Sequence, residues 1–153
     1  MDQKITPNLW FDGNAKEAVA YYVSVFPNSR VVATAYYPAS TDDGLADFQQ
    51  EMAGKELAID FELRGQRFTA INAGPEFKFN EAVSFAIACD DQHEIDYYWE
   101  KLSSVPEAEQ CGWCKDRFGL SWQVVPKNLD KLVQRPNAFA HMMQMKKLVI
   151  DGF

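Results

Sequence analysis

The run Ile5-Thr6-Pro7-Asn8-Leu9-Trp10-Phe11-Asp12-Gly13-Asn14-Ala15-Lys16-Glu17 decides the fold, because it holds a complete passage from strand to helix. Ile5 to Phe11 reads as a strand, and Asp12-Gly13 punctuates it. Asn14-x-x-Glu17 then opens a helix as an N-cap with a partial capping box. Ala18, Val19, Tyr22, Val25 and Phe26 follow at helical spacing, so one face packs on a sheet, and Pro27-Asn28-Ser29 ends the helix.

The same device returns further along. Ala82 to Cys89 reads as a strand, and Asp91-x-x-Glu94 caps a helix carrying Ile95, Tyr98, Trp99 and Leu102 on one face. A shift of 77 residues places Asn14 on Asp91, Glu17 on Glu94, Tyr21-Tyr22 on Tyr98-Trp99 and Val25 on Leu102. Cap, aromatic pair and preceding strand sharing one offset argue for an internal repeat.

The remaining segments fill out each half. Arg30 to Tyr37 is rich in β formers, Pro38 to about Ala53 is a polar loop, and Glu56 to Leu63 and Gln66 to Asn72 form a hairpin about Arg64-Gly65. Glu62 and Arg64 read as solvated hairpin residues. The second half gives Gln110 to Lys115, a turn at Asp116-Arg117-Phe118-Gly119, and Leu120 to Val125, ended by Pro126. Val105 to Glu109 is too short and acidic to assign. Asn128 to Gln134 reads as a short helix, and Pro136 opens another through Lys147 with Phe139, Met142 and Met143 along one side.

Composition narrows the function classes. The 153 residues, 47% apolar and 14% aromatic, suffice for one domain and its core. The formal charge of -7 repels phosphate backbones, and Lys146-Lys147 is the sole basic pair, which argues against a nucleic-acid partner. No stretch approaches the roughly 18 apolar residues of a membrane span. Met1-Asp2-Gln3-Lys4 lacks the order of a signal peptide, and three cysteines fit a reducing compartment, so the expected location is cytoplasmic.

At this point the chain resembles the PhnB-like proteins of the glyoxalase/bleomycin-resistance (vicinal oxygen chelate) superfamily, whose label is 3-demethylubiquinone-9 3-methyltransferase domain. The resemblance is carried by Ile5 to Ala15, by Asn72-Ala73-Gly74-Pro75-Glu76-Phe77-Lys78-Phe79-Asn80-Glu81, by Cys111-Gly112-Trp113 with Asp116, Phe118-Gly119 and Ser121-Trp122-Gln123, and by Gln144-Met145-Lys146-Lys147. It implies an α+β fold of paired βαβββ modules making one cupped, eight-stranded mixed sheet, with a homodimer partner. The expected domain is single: module one over about 4–73, module two over about 82–126, and a helical extension over 127–153.

In metal-dependent relatives, His, Gln or Glu side chains on the first and last strands of each module point into the cup. The resemblance places those positions on or near Thr6, Thr69, Ser84 and Gln123, whose hydroxyls and amide are weak ligands for a catalytic divalent cation. His93 and His141 fall on helices and read as solvated. No metal and no cofactor is therefore expected.

Other chemistries find little support. Cys111-Gly112-Trp113-Cys114 is a C-x-x-C, but residues three apart in a strand point to opposite faces, which parts the thiols. The turn Asp12-Gly13-Asn14 has a single glycine, too few for the loop of an S-adenosylmethionine-binding Rossmann unit. Ser84 and Ser121 lack a Gly-x-Ser-x-Gly elbow. Asp90-Asp91 is explained by capping and Asp42-Asp43 by solvation.

Strand parity then selects the pocket. If Thr6 faces the cup, so do Asn8 and Trp10, while Pro7, Leu9 and Phe11 face the helix; Ser84, Ala86 and Ala88 share a side, as do Ser121, Gln123 and Val125. The candidate ligand-binding residues are Asn8, Trp10, Ser84, Trp113 and Gln123, with the register about Trp113 open. Such a set suits a partly polar, partly planar small molecule; the alternative is a solvent-filled cleft or a packed core. The expected function is metal-free small-molecule binding or an enzyme of unknown reaction. The alternatives are a drug-sequestering resistance-type protein, the methyltransferase of the family label, and a metal-dependent lyase or dioxygenase.

Overall fold

The computed structural model describes residues 2–153 and divides into two compact units after Lys78. In unit 1, β1 (Asn8–Asp12) begins three residues later than the sequence suggests and leads into α1 (Ala15–Val25). Then come β2 (Arg30–Tyr36), β3 (Glu56–Leu63) and β4 (Gln66–Ala73). The sheet order is β1-β4-β3-β2, with β1 parallel to β4 and the other pairs antiparallel. The expected polar loop between β2 and β3 contains two 3-10 turns, Thr41–Asp43 and Asp47–Met52.

Parity sorts β1 as its sequence requires. Leu9 and Phe11 are buried, whereas Asn8 and Asp12 are exposed and Trp10 is half-buried. The buried stripe of α1 (Ala18, Val19, Tyr22, Val25) meets Phe61 of β3, stacked on Tyr22 with ring centroids 6.4 Å apart, and Phe68 of β4 continues the stack at 5.5 Å. Arg64 (φ 51) and Gly65 (φ 87) make the two-residue β3–β4 turn, where the glycine supplies a conformation that side chains resist. Glu62 is more than a solvated hairpin residue. The register sets it opposite Arg30 and Arg67, and both guanidinium groups pair with it, at 3.1 and 3.4 Å.

Unit 2 has β5 (Ser84–Cys89), α2 (Gln92–Leu102), β6 (Trp113–Lys115) and β7 (Ser121–Pro126), followed by α3 (Leu129–Leu132) and α4 (Ala138–Met142). Its sheet order is β5-β7-β6, with β5 parallel to β7 and β6 antiparallel to it. Each unit thus begins with a strand that pairs in parallel with its last, the topological form of the sequence repeat. The eight-stranded sheet is corrected: the described residues form seven strands, in a four-stranded and a three-stranded sheet. Where unit 2 would need its missing strand, Pro106–Ala108 forms a 3-10 turn, since Pro106 lacks the N–H that a ladder requires.

Three further expectations change in unit 2. Gln110 to Lys115 is not one strand, because Cys111 (φ 51) and Gly112 (φ 87) turn the chain and let Gln110 pair with Trp113. Pro126 continues β7 opposite Cys89. The helix expected from Pro136 to Lys147 shrinks to α4, and the following chain is drawn onto the turn, where Cys111 N donates to Met145 O and Gly112 N to Lys146 O, both at 2.8 Å. Leu148 is fully buried, and the Gln92 side chain clasps the tail, donating to Leu148 O at 3.0 Å and accepting from Ile150 N at 2.8 Å. Gly112 is obligatory here: a Cβ would come within 3.0 Å of both the Leu148 side chain and Val124 O.

Candidate functional site

Each unit carries its own cavity. That of unit 2, about 500 Å³, opens where the β6–β7 ladder meets the chain after α4. Register sets Trp113 directly opposite Gln123, so the two side chains share one face of the hairpin and both line the cavity. Gln123 Nε2 donates to Ser84 Oγ at 2.9 Å across the parallel β5–β7 pair. The amide is therefore held by one end, and its Oε1 accepts from no group among the described residues. Ser84, Gln123 and Trp113, three of the five sequence candidates, thus belong to one side-chain group.

Sequence reasoning missed the rest of this wall. Cys111 stands on the turn with its Sγ 3.6 Å from Met143 Sδ, and Gln110 Nε2 donates to Met143 O at 2.8 Å, fixing the chain after α4 against the hairpin. Val125, Leu129 and Met142 complete an apolar lining. The run Pro136 to Lys147 was legible as a helix with Phe139, Met142 and Met143 on one side, but the hairpin that brings Met142 and Met143 to Trp113 depends on the φ > 0 turn at Cys111-Gly112.

The turn after β6 is organised by Asp116, buried with 1% exposure. Its Oδ1 accepts from Phe118 N at 2.8 Å and Leu120 N at 3.1 Å, and its Oδ2 accepts from Trp122 Nε1 at 2.8 Å. These three N–H donors satisfy the hydrogen-bonding needs of the buried side chain. Its effect on the site is indirect: it fixes the start of β7, and hence the strand that presents Gln123.

The remaining candidates lie in unit 1. Trp10 lines a cavity of about 640 Å³ together with Tyr37, Phe48 and Met52. Its Nε1 donates to Gly74 O at 2.9 Å, and its ring meets Phe77 edge-on at 4.8 Å. Asn8 is exposed, lines neither cavity, and donates from Nδ2 to Thr6 O at 2.9 Å. Beneath the cavity, Asn72 is buried: Oδ1 accepts from Ala15 N at 3.1 Å, Nδ2 donates to Glu56 O at 2.9 Å, and its carbonyl accepts from Tyr37 Oη at 2.5 Å.

The four residues that the resemblance sets at metal-ligand positions are poor donors for a divalent cation. Thr6 precedes β1; Thr69 Oγ1 donates to Asp60 Oδ1 at 2.6 Å; Ser84 and Gln123 bond each other. Among the described residues, no group of three or more His, Cys, Asp or Glu side chains is placed to share an ion.

Comparison with known proteins now adds identity. The model of the family described as 3-demethylubiquinone-9 3-methyltransferase matches residues 3–125. Among solved structures, a PhnB protein from Bacillus cereus is 32% identical, with a TM-score of 0.63 over 81% of this chain and 99% of that one. Protein PA1353 from Pseudomonas aeruginosa, 19% identical, gives 0.58 over 82% and 98%. The fosfomycin resistance protein FosX from Listeria monocytogenes, 11% identical, gives 0.55 over 88% and 99%, a likeness of fold alone. No curated protein matches the chain. Family model and Bacillus relative agree with the strand, cap and linker motifs: the chain belongs to the 3-demethylubiquinone-9 3-methyltransferase family, the PhnB-like branch of the vicinal oxygen chelate superfamily.

Proposed function

We propose that this protein is a metal-independent, small-molecule-binding member of its superfamily, acting in the cytoplasm as a homodimer whose two modules make one domain. Its principal ligand site is the Gln123 cavity. The observation that carries this reading is the Ser84–Gln123 hydrogen bond, which fixes the amide while leaving Oε1 to accept from a ligand beside the Trp113 ring. A planar molecule with one N–H or O–H donor fits: the ring gains a stacking surface and the amide sets its orientation. Ser84 is a positioning residue. Trp10 serves the unit 1 cavity, and Asn8, which lines neither cavity, is left out of both sites.

The methyltransferase of the family label gains no support from either unit, since neither sheet is the all-parallel, doubly wound sheet of a Rossmann unit and the β1–α1 turn holds one glycine. Metal-independence rests on the donor set, and elemental analysis of protein after gel filtration checks it. No stoichiometric transition metal is expected, whereas one equivalent of zinc, nickel or iron contradicts the proposal.

The binding test begins with thermal-shift screening of small aromatic and polar metabolites, followed by calorimetry. Gln123→Ala is expected to weaken a confirmed ligand about fivefold or more, the loss of one buried hydrogen bond. Ser84→Ala acts in the same direction by freeing the amide, and Trp113→Ala removes the stacking surface. A ligand that stabilises the protein yet binds Gln123→Ala and Trp113→Ala with unchanged affinity refutes the site. Turnover of that ligand separates an enzyme from a sequestering protein.

A further inference from the structure

The unit 1 cavity is built from different chemistry and shares no lining residue with the Gln123 cavity. Three aromatic rings, Trp10, Tyr37 and Phe48, line it, and Phe48 stands 85% exposed on the 3-10 turn. Trp10 is immobilised by its bond to Gly74 O and its edge contact with Phe77. Because the indole N–H is already used, the ring offers an occupant its π-face.

Charge supplies the second half of the argument. The lining holds the carboxylates of Asp12, Glu51 and Glu76 against one ammonium group, Lys55. The exposed Glu76 side chain folds back over Gly74, so closely that a Cβ at Gly74 would lie 2.7 Å from Oε2 and 3.0 Å from Oε1. The same Gly74 accepts the Trp10 N–H through its carbonyl, so one glycine joins the aromatic wall to the carboxylate. The charge of Glu76 reaches Tyr37 as well, whose phenol is pushed up first by burial and then by that carboxylate.

A neutral occupant gains at most a hydrogen bond from these carboxylates, and an anion is repelled by them. A cation gains twice, from the negative faces of the rings and from the carboxylates. We propose that the unit 1 cavity binds a small organic cation of the ammonium class, held over Trp10 and Phe48 with Glu76 as its counter-ion.

The test is an NMR titration of the isotope-labelled full chain with choline and with 3,3-dimethylbutan-1-ol, which has the same shape and no charge. Trp10→Phe identifies the Trp10 indole N–H resonance by its loss. Choline is expected to shift that resonance and the Gly74 amide saturably, and the alcohol to bind about tenfold more weakly or worse. Glu76→Gln, an exposed substitution that keeps the amide spectrum otherwise intact, is expected to weaken choline about fivefold. Gly74→Ala, which displaces the carboxylate without deleting it, is expected to act in the same direction. Equal binding of the alcohol, unchanged affinity in Glu76→Gln, or the absence of a saturable choline shift overturns the proposal and leaves the Gln123 site unaffected.

Discussion

Cys111 and Cys114 stand three apart in sequence, and the fold gives them opposite chemistry. Parity within one strand was expected to separate them; in fact Cys111 lies on a left-handed turn and Cys114 within β6. Burial pushes the Cys114 thiol up from 9.0 to about 12, helped by Asp116 and Glu109, and does the same to Cys89, helped by Glu94, Asp90 and Asp91. A native-state thiol reagent near pH 8 is therefore expected to modify Cys111 alone, and all three cysteines after denaturation. Modification of Cys89 or Cys114 in the folded protein contradicts this. Stability follows with a definite sign. Above the unfolded thiol value of 9.0 the unfolded chain releases protons that the folded chain keeps, so this contribution is complete below 9.0 and declines as pH rises toward about 12. Urea denaturation at about pH 8 and about pH 10 should show a smaller loss for Cys114→Ala than for the parent.

The two helices begin with matching sequences and are capped by different means. Asp91 accepts from Glu94 N at 2.9 Å, as its sequence predicts. Asn14 makes no side-chain cap; φ -117, ψ 25 turns it away, and Asn72 of β4 accepts the Ala15 N–H in its place. Asp91→Ala is expected to cost about 1 kcal/mol, the usual worth of an N-cap. Asn14→Ala should cost less than about 0.5 kcal/mol, as for an uninvolved surface site. Asn72→Ala should cost about 2–3 kcal/mol, because it strands a buried partner, Ala15 N, and a half-buried one, Glu56 O. Urea midpoints of the three variants decide the matter; an Asn14→Ala loss equal to that of Asp91→Ala refutes the assignment. The helix faces diverge too. The repeat aligns Tyr21-Tyr22 with Tyr98-Trp99, yet Tyr22 is buried in α1 and Tyr98 in α2, a rotation of one residue.

For the whole molecule, the proposed homodimer now rests on fewer residues than the sequence offered. Leu148 is taken into unit 2 by its own chain, so the apolar tail supplies chiefly Val149, at 43% exposure, alongside Phe139 at 62% and Met143 at 43%. These are the side chains of unit 2 that a partner would cover. Light scattering at micromolar concentration is expected to give twice the chain mass of 17.4 kDa, and Phe139→Glu to shift it toward the monomer. A monomeric mass for the parent chain contradicts the dimer.

What the sequence determined by itself was a set of features governed by local rules. Alternation fixed which side of β1 is buried, glycine with a positive φ located the β3–β4 turn, and the Asp91 cap followed from its side chain reaching its own backbone. The repeat and its motifs sufficed to assign the family. What only the tertiary structure decided involved partners distant along the chain. Asn72 displaced Asn14 as cap because a buried amide can satisfy an N–H 57 residues away. Ser84 met Gln123 because parallel pairing sets β5 beside β7, 39 residues apart. The eighth strand is missing because ladder formation fails where Pro106 removes a donor, and α4 stops at Met142 because the chain beyond it gains backbone bonds to Cys111 and Gly112 that a continuing helix could not make.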